Sequence, residues 1–262
     1  MRLWKIASFN INSIRARLPA LVDWLHVNRP DVLCIQETKV SDKEFPAEKI
    51  REAGYQVVHR GEPSYNGVAI ISITPPDEVK YGLGGKEPDE SRLIYASIDG
   101  VPIVNTYVPQ GRHPDSPHFQ YKLKWFDRLL SYFKKNHSPD MPLIWTGDLN
   151  IAPEDIDVHN PKRLRGHVDF HPEVQARFEK IMNWGFVDVF RKHVPNPGQY
   201  TFFDYRVKGA LDKGLGWRVD HILATSALAH CSAKAWIDLK PRKGNKPSDH
   251  APIVAEFDLD RL

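Results

Sequence analysis

The chain has 262 residues, a length that suits one large domain or two small ones. Its hydrophobic content of 41% is sufficient for a sizeable core, and its net charge of +3 permits a polyanionic partner without requiring one. No run approaches the ~20 apolar residues of a membrane span, the N-terminus lacks a signal-peptide pattern, and the two distant cysteines predict neither a disulfide scaffold nor a thiolate zinc site. We therefore expect a cytoplasmic protein without a membrane segment.

The first half of the chain alternates short apolar strands with helices. The predicted strands are 3–10, 32–36, 55–60, 67–73, 93–98 and 101–107. One helix is predicted from Ile14 to a stop at 28–30, and a second over 46–53, with a glycine just past its end. Residues 77–90 are rich in glycine and proline, which predicts a loop.

The second half predicts two long helices, over 118–136 and 172–184, separated by the strand 141–146 and a polar loop over 155–170. Four further strands are predicted at 199–205, 218–224, 233–239 and 251–259. The total is about ten strands, and several of them follow one another without a helix between them. This order favours two packed sheets with helices outside, in one mixed α/β domain over 1–262, over a single doubly wound sheet.

Polar residues recur at the places where the predicted strands stop. They are Asn10 and Asn12, Glu37, Tyr107, Asp148 and Asn150, Asp220, and the pair Asp249-His250. Each of them alone is most simply a cap or turn residue. If they converge on one edge, they supply oxygen ligands, a base and an imidazole, which are the groups that Mg²⁺- or Mn²⁺-assisted phosphoester cleavage requires.

Roles can be assigned to most of these residues from their chemistry. Glu37 is an isolated carboxylate at the end of an apolar strand, which makes it the best single metal ligand. Asn10 or Asn12 could add an amide oxygen or hold a carboxylate in place. His250 is a natural partner for a phosphate oxygen, and it needs a carboxylate to orient it.

The orienting carboxylate is predicted from strand geometry. Asp249 is adjacent to His250 in sequence, so in an extended segment the two side chains point apart. Asp220 is therefore the better candidate. Asp148 then remains to position or deprotonate the attacking water, and Asn150 steadies it.

Other motifs do not compete with this interpretation. The segment after Asp148 has Ala152 where a calcium loop places an oxygen ligand, and it lacks the glycine of such a loop. Gly82-Leu83-Gly84-Gly85-Lys86 lacks the strand, spacing and Ser/Thr of a phosphate-binding loop, which favours a plain surface loop.

Seven segments in order resemble the motif set of the exonuclease III class of apurinic/apyrimidinic endonucleases, in the endonuclease/exonuclease/phosphatase superfamily. They are Ser8-Phe9-Asn10-Ile11-Asn12, Ile35-Gln36-Glu37-Thr38-Lys39, Tyr65-Asn66-Gly67-Val68-Ala69, Tyr107-Val108-Pro109-Gln110-Gly111, Gly147-Asp148-Leu149-Asn150, Trp217-Arg218-Val219-Asp220 and Ser248-Asp249-His250. The resemblance covers 5–257. It implies a four-layer α/β sandwich and divalent-metal-dependent hydrolysis 5′ to abasic sites, together with removal of blocking groups or nucleotides from DNA 3′ ends.

The resemblance also implies site roles. Tyr107 is a phosphate contact or an alternative base to Asp148, and Asp249 is a second acidic ligand beside Glu37. One metal or two is left open. Asn12 stands where other members place an aspartate, which makes it a less favoured candidate for a metal ligand. Residues 161–171 differ in length and sequence from family members, in a loop that lies close to the DNA.

DNA binding requires basic residues clustered on one face, and Arg15 and Lys39 are candidates for phosphate contacts. The resemblance places Arg15, Tyr65 and the segment around Arg206 at the DNA. Gln110, which varies in the family, is a further predicted contact. The resemblance implies that Phe202 and Trp217 line a pocket for an extruded abasic sugar. Such a pocket selects a nucleotide without a base, because flipping that nucleotide costs the least free energy.

Two alternatives stay open at this point. One is a phosphoesterase of the same fold that acts on inositol phosphates or sphingolipids, which would not need the basic clusters or the Phe202 and Trp217 pair. The other is a DNA-binding module that has lost catalysis. This alternative is disfavoured because five ionisable site residues are intact: Glu37, Asp148, Asp220, Asp249 and His250. A monomer is expected because no spare apolar helix face or heptad repeat is visible.

Overall fold

The computed structural model describes residues 3–85 and 90–262 and contains two six-stranded sheets. Its strands are β1 Trp4–Asn10, β2 Val32–Gln36, β3 Gln56–Arg60, β4 Val68–Ser72, β5 Glu78–Tyr81, β6 Leu93–Ile98, β7 Val101–Tyr107, β8 Ile144–Asp148, β9 Phe186–Asp188, β10 Asp220–Thr225, β11 Ser232–Ile237 and β12 Ile253–Phe257. Its helices are α1 Ile14–Asn28, α2 Ala47–Glu52, α3 Pro117–Asn136, α4 Pro161–Leu164, α5 Pro172–Gly185, α6 Val189–His193 and α7 Ser226–Ala229.

The two sheets have the same plan. The first has the order β11-β12-β1-β2-β4-β3, and the second has the order β5-β6-β7-β8-β10-β9. Each contains one parallel pair, β1 with β2 and β7 with β8, and its other pairs are antiparallel. The prediction of two mixed sheets with helices outside is therefore confirmed.

Strand alternation explains where the core ends and the polar residues begin. Along β1, Ile6 faces the core between the two sheets, whereas Ala7 and Phe9 pack towards α1. Asn10 shares the face of Ile6, so it points between the sheets at the strand end. The same alternation applies to β8, where Ile144 lies in the inter-sheet core and Asp148 follows on the same face. The sheets thus deliver polar side chains to one shared edge.

A layer of buried polar groups separates the apolar core from this edge. The Gln36 amide donates to Ser8 Oγ at 3.0 Å and to Asn105 Oδ1 at 2.7 Å. The Asn105 amide in turn donates to the backbone oxygens of Ile35 and Ala69. These bonds connect the two sheets and fix their spacing, because a buried amide left without partners would cost about 1–3 kcal/mol.

Several predicted elements were wrong. The predicted loop 77–90 contains strand β5, although its residues 86–89 lie outside the described part of the chain. The predicted strand 199–205 is irregular and makes isolated bridges through Phe202 only. Its aromatic content is typical of a β-strand, but the aromatic rings pack in two local clusters, and the segment does not pair along a neighbouring strand.

Several short elements were missed, and the bounds of one strand that carries a site residue were shifted. Strand β9 and helix α6 follow α5 directly, without the turn signals that would separate them in sequence. The predicted polar loop 155–170 includes the short helix α4. The predicted strand 141–146 begins and ends later, so that Asp148 is its last residue. Across the described residues, no helix is long and apolar enough to cross a membrane.

Candidate active site

The strand ends converge on a cluster of buried carboxylates. The side-chain amide of Asn10 donates to Glu37 Oε1 at 2.8 Å and to Asp148 Oδ2 at 2.8 Å. One NH₂ group therefore holds a carboxylate from each sheet. The Asn10 Oδ1 accepts the backbone N–H of Asn12 at 3.0 Å, so its predicted use as a metal ligand stays a prediction.

The backbone leaves the strands in strained conformations at this edge. Glu37, Asn12 and Asn150 have φ values of 53°, 46° and 47°, in the left-handed region that non-glycine residues seldom adopt. Each such residue costs of order 1 kcal/mol, and strain of this kind is concentrated at functional sites. The turns aim the side chains away from the sheet and into the cleft.

Gly147 allows Asp148 to approach the neighbouring strand. A Cβ at this position would lie 1.9 Å from the carbonyl oxygen of Thr106, and φ is 138°. Only glycine is therefore tolerated before Asp148. The resulting register places Asp148 between Tyr107 on β7 and Asp220 on β10.

His250 forms the predicted pair with Asp220. Its Nδ1 donates to Asp220 Oδ2 at 2.8 Å, and its Nε2 lies 3.8 Å from Asp148 Oδ2. Burial alone would lower the pKa of His250, but the carboxylates of Asp220 and Asp148 raise it to about 10. The ring is therefore an imidazolium at neutral pH. Asp249 accepts a hydrogen bond from the Asn12 amide at 2.9 Å, and it lines the same cavity as His250.

The carboxylates differ in charge state. Burial raises the pKa of Asp148 to about 8, with Asp220 and Glu37 adding to the shift and His250 opposing it. Burial would also raise the pKa of Glu37, but Lys39 and Asn10 hold it below its usual range. Glu37 is thus ionised at pH 7, whereas Asp148 lies near its titration point.

Tyr107 is held as a neutral phenol. Burial raises its pKa well above the usual range, and the charges of Glu37 and Asp148 raise it further. The Arg92 guanidinium lies 4.9 Å from the ring centroid and opposes the shift. A phenol in this state donates a hydrogen bond at neutral pH.

The donor set fits a hard divalent cation. Glu37, Asp148 and His250 each offer an atom within 4.8 Å of the others. The two carboxylates are the oxygen ligands that Mg²⁺ prefers. Since Nδ1 of His250 is occupied by Asp220, Glu37 is the better candidate to hold the ion. In the described structure, the ammonium of Lys39 lies 2.6 Å from Glu37 Oε2 and also donates to Asn12 Oδ1 at 2.7 Å.

The cluster forms the floor of a cavity of about 410 Å³. Tyr107, Gln110, Asn150, Phe202, Arg206, Trp217 and Asp249 are the other predicted residues that line it. The Asn150 backbone N–H donates to Asp148 Oδ1 at 3.0 Å, and its side chain donates to Val108 O at 2.8 Å. Phe202 lies against the ring of His250, with 5.0 Å between ring centroids.

The predicted DNA contacts do not all line this cavity. Tyr65 is 70% exposed at a second cavity that shares Tyr107 and Gln110 with the first. Arg15 and Arg206 are exposed and pair with Glu44 and Asp204. Lys39 lies inside the cluster instead of on an open surface.

Sequence reasoning missed several residues that line the cavity or support it. Arg112, His167 and Asp169 line the cavity, and the His167 ring lies 4.8 Å from Trp217. Lys122 is fully buried behind them. Segment 161–171, which differs from family members in length and sequence, was the sequence signal that could have identified His167 and Asp169.

The comparisons with known proteins agree with this geometry. A model of the endonuclease/exonuclease/phosphatase family matches residues 7–250. Exodeoxyribonuclease III of Haemophilus influenzae is 38% identical over 97% of this chain and 99% of its own length.

Two solved structures are similar throughout. An AP endonuclease from Archaeoglobus fulgidus has a TM-score of 0.96 and 51% identity, covering 97% of this chain and 99% of that one. The 3′ phosphatase NExo from Neisseria, solved with a product DNA hairpin, has a TM-score of 0.92 and 36% identity, with the same coverage. This chain therefore belongs to the endonuclease/exonuclease/phosphatase family, in its class of exodeoxyribonuclease III and AP endonucleases.

Proposed function

We propose that the chain is a Mg²⁺-dependent DNA-repair phosphodiesterase, with Mn²⁺ able to substitute. It hydrolyses double-stranded DNA 5′ to abasic sites and removes blocking groups or nucleotides from 3′ ends. The observation that supports this most directly is the convergence of Glu37, Asp148, Asp220 and His250 below one cavity. The relatives named for exodeoxyribonuclease, AP endonuclease and 3′ phosphatase activity support the substrate class.

His250 binds the scissile phosphate in this proposal. Asp220 fixes the ring by accepting from Nδ1, so Nε2–H is free to donate to a phosphate oxygen. The imidazolium charge stabilises the additional negative charge of the transition state. Phe202 covers one side of the ring and limits its movement.

Asp148 is the proposed general base. Its pKa of about 8 suits proton transfer near neutral pH, and Asn10 and Asn150 fix its two oxygens. Tyr107 is the alternative base, but its raised pKa favours a neutral phenol that donates to the phosphate. Asp148 therefore accepts the proton of the attacking water.

Glu37 would hold the metal, and Asp249 and Asn12 are the proposed supporting residues on the same side of the cleft. When bound, Mg²⁺ supplies positive charge at the phosphate and at the departing oxygen. Lys39 would compete with the metal for Glu37 Oε2, from which its ammonium lies 2.6 Å.

The proposed DNA path runs over exposed residues on both sides of the cavity. Arg15, Tyr65 and Arg206 contact the backbone, and Gln110 lies at the junction of the two cavities. Phe202 and Trp217 wall the pocket for an extruded sugar. A cytoplasmic location, a monomeric state and a single domain over 1–262 also stay predictions.

One assay tests this function. Duplexes that carry an abasic analogue or a 3′-phosphate are incubated with the protein, with Mg²⁺ or with chelator. Mg²⁺-dependent product from either duplex is the expected result. Tight binding without product would favour an inactive binding module. Turnover of an inositol phosphate or sphingolipid without DNA cleavage would favour the other phosphoesterase.

A further inference from the structure

Lys122 is a charged residue that the proposed mechanism does not use. It lies on α3 with a side-chain exposure of 0%. Moving an ammonium out of water costs several kcal/mol unless hydrogen bonds and an opposite charge compensate it. The contacts of Lys122 should therefore include the hydrogen bonds and the opposite charge that offset this cost.

The Lys122 ammonium joins three separate loops. Nζ donates to Asn150 O at 2.6 Å, Val168 O at 2.7 Å, Asp169 Oδ1 at 2.8 Å and Gln110 O at 3.2 Å. These acceptors follow β7, follow β8 and lie in the segment before α5. Three of the four acceptor residues, Gln110, Asn150 and Asp169, line the cavity of the candidate site.

The contact with Asn150 acts on the proposed base. Asn150 has a φ of 47°, and its backbone N–H donates to Asp148 Oδ1 at 3.0 Å. Lys122 holds the carbonyl of this strained residue from behind. It therefore stabilises the peptide that orients the Asp148 carboxylate, without reaching the cavity itself.

The contact with Asp169 acts on the opposite wall. Asp169 also accepts from the Gln110 amide at 3.3 Å, and its backbone oxygen accepts from Ala152 N–H at 2.7 Å. The stem of Lys122 is close to Gly111, where a Cβ would lie 3.1 Å from Lys122 Cδ. The fit leaves little space for these loops to shift independently.

We propose that Lys122 is a positioning residue for phosphodiester hydrolysis. Its buried ammonium sets the placement of Asn150 relative to Gln110 and Asp169, and through Asn150 it orients the base. The inference rests on the proposed function, since it assigns Lys122 to that reaction. It predicts an effect on the chemical step and not on DNA affinity.

The test compares Lys122→Met with Lys124→Met, an exposed lysine on the same helix. On an abasic-analogue duplex with Mg²⁺, Lys122→Met lowers kcat per folded molecule about 100-fold, because small displacements of reacting groups have effects of this size. KM stays within about threefold, which marks a loss confined to the transition state. Lys124→Met retains wild-type kcat, and Lys122→Arg recovers part of the loss because it keeps the charge and donors.

Asp169→Asn provides a second variant if Lys122→Met does not fold, because it leaves the three carbonyl acceptors of Lys122 in place. It lowers kcat with little change in KM, and because the buried ammonium loses its opposite charge, thermal stability falls and kcat is measured per folded molecule. Unchanged kcat in folded Lys122→Met would overturn the inference alone, and so would unchanged kcat in Asp169→Asn where Lys122→Met cannot be folded. An inactive wild-type protein would overturn the proposed function, and the inference with it.

Discussion

Two buried groups of charged residues meet at strand β10 and differ in how their charge is balanced. The first, the carboxylate cluster, consists of Glu37, Asp148, Asp220 and His250. With Lys39, which pairs with Glu37, it has three acidic groups and two cations, and burial raises the pKa of Asp148 to about 8. Oδ1 of Asp220 is buried without a hydrogen-bond partner among the described residues. This cluster is electrostatically incomplete.

The second group, the arginine cluster, consists of Asp157, Asp188, Arg191 and Arg218. Arg218 donates to Asp157 Oδ1 at 2.7 Å and forms an ion pair with Asp188 Oδ2 at 2.8 Å. Arg191 also pairs with Asp157. Burial would raise the pKa values of the two aspartates, but the arginines lower them. Each acidic group here has a cationic partner.

The difference separates function from stability. The arginine cluster is complete within the folded chain, so its contacts hold β9, α6 and β10 together. The carboxylate cluster has one more acidic group than cations, so it can accept a further cation. We therefore expect substitutions in the carboxylate cluster to lower the cleavage rate, and substitutions in the arginine cluster to lower the free energy of unfolding.

The largest expected effect is on catalysis in Asp148→Asn. Removing the proposed base lowers the single-turnover cleavage rate by about 10³-fold or more. DNA affinity stays near the wild-type value, and thermal stability does not fall, because the raised pKa of Asp148, about 8, means that its ionised form does not stabilise the fold at neutral pH. Cleavage rate, Kd and Tm of the folded variant provide the check. A comparable loss of affinity would contradict the role of Asp148 as base and favour a structural or metal-holding one.

Arg218→Met should have the largest effect on stability. It leaves Asp157 and Asp188 buried with too few partners, and breaking a buried pair costs about 3–5 kcal/mol. Urea unfolding at pH 7 measures the loss. An unfolding free energy within error of the wild-type value would show that the arginine cluster is not structural.

The pH dependence of stability distinguishes the clusters further. Because Asp157 and Asp188 have lowered folded pKa values, their contribution is present above the usual carboxyl pKa of about 3.9 and is lost as pH falls below it. In Arg218→Met the aspartates lose this advantage. The stability difference between variant and wild type is therefore largest near neutral pH and decreases in acid. A difference independent of pH would contradict this assignment.

Arg206→Ala has the smallest expected effect. Arg206 is exposed and pairs with Asp204 on the surface, where an ion pair contributes about 0–1 kcal/mol. Tm stays unchanged, while KM for DNA rises modestly and the salt dependence of binding weakens by about one phosphate contact. Binding isotherms at several salt concentrations test this. An unchanged salt slope would remove Arg206 from the DNA path.

The strand ends could be predicted because they depend on local rules. Alternation along β8 explains why Asp148 lies at the shared edge, and the predicted pairing of His250 with Asp220 is observed. The hydrogen-bond network around Lys39 could not be predicted, because its ammonium meets Glu37 through a left-handed turn that has no sequence signal.

The supporting residues were also beyond sequence reasoning. Lys122 looks like an ordinary surface lysine in a helix, and only tertiary packing reveals that three loops surround it. Arg218 lies next to recognised motif residues, but its partners Asp157 and Asp188 come from distant segments. Long-range charge pairing of this kind leaves no periodic pattern.

The contrast between the two clusters is tested most directly by the single-turnover cleavage rate per folded molecule, measured on an abasic-analogue duplex with Mg²⁺ for Asp148→Asn and Arg218→Met side by side. We expect Asp148→Asn to be folded and almost inactive, whereas the folded fraction of Arg218→Met cleaves at a rate close to wild type. Wild-type cleavage by Asp148→Asn, or equal losses of rate in the two variants, would contradict the division between a catalytic and a structural cluster.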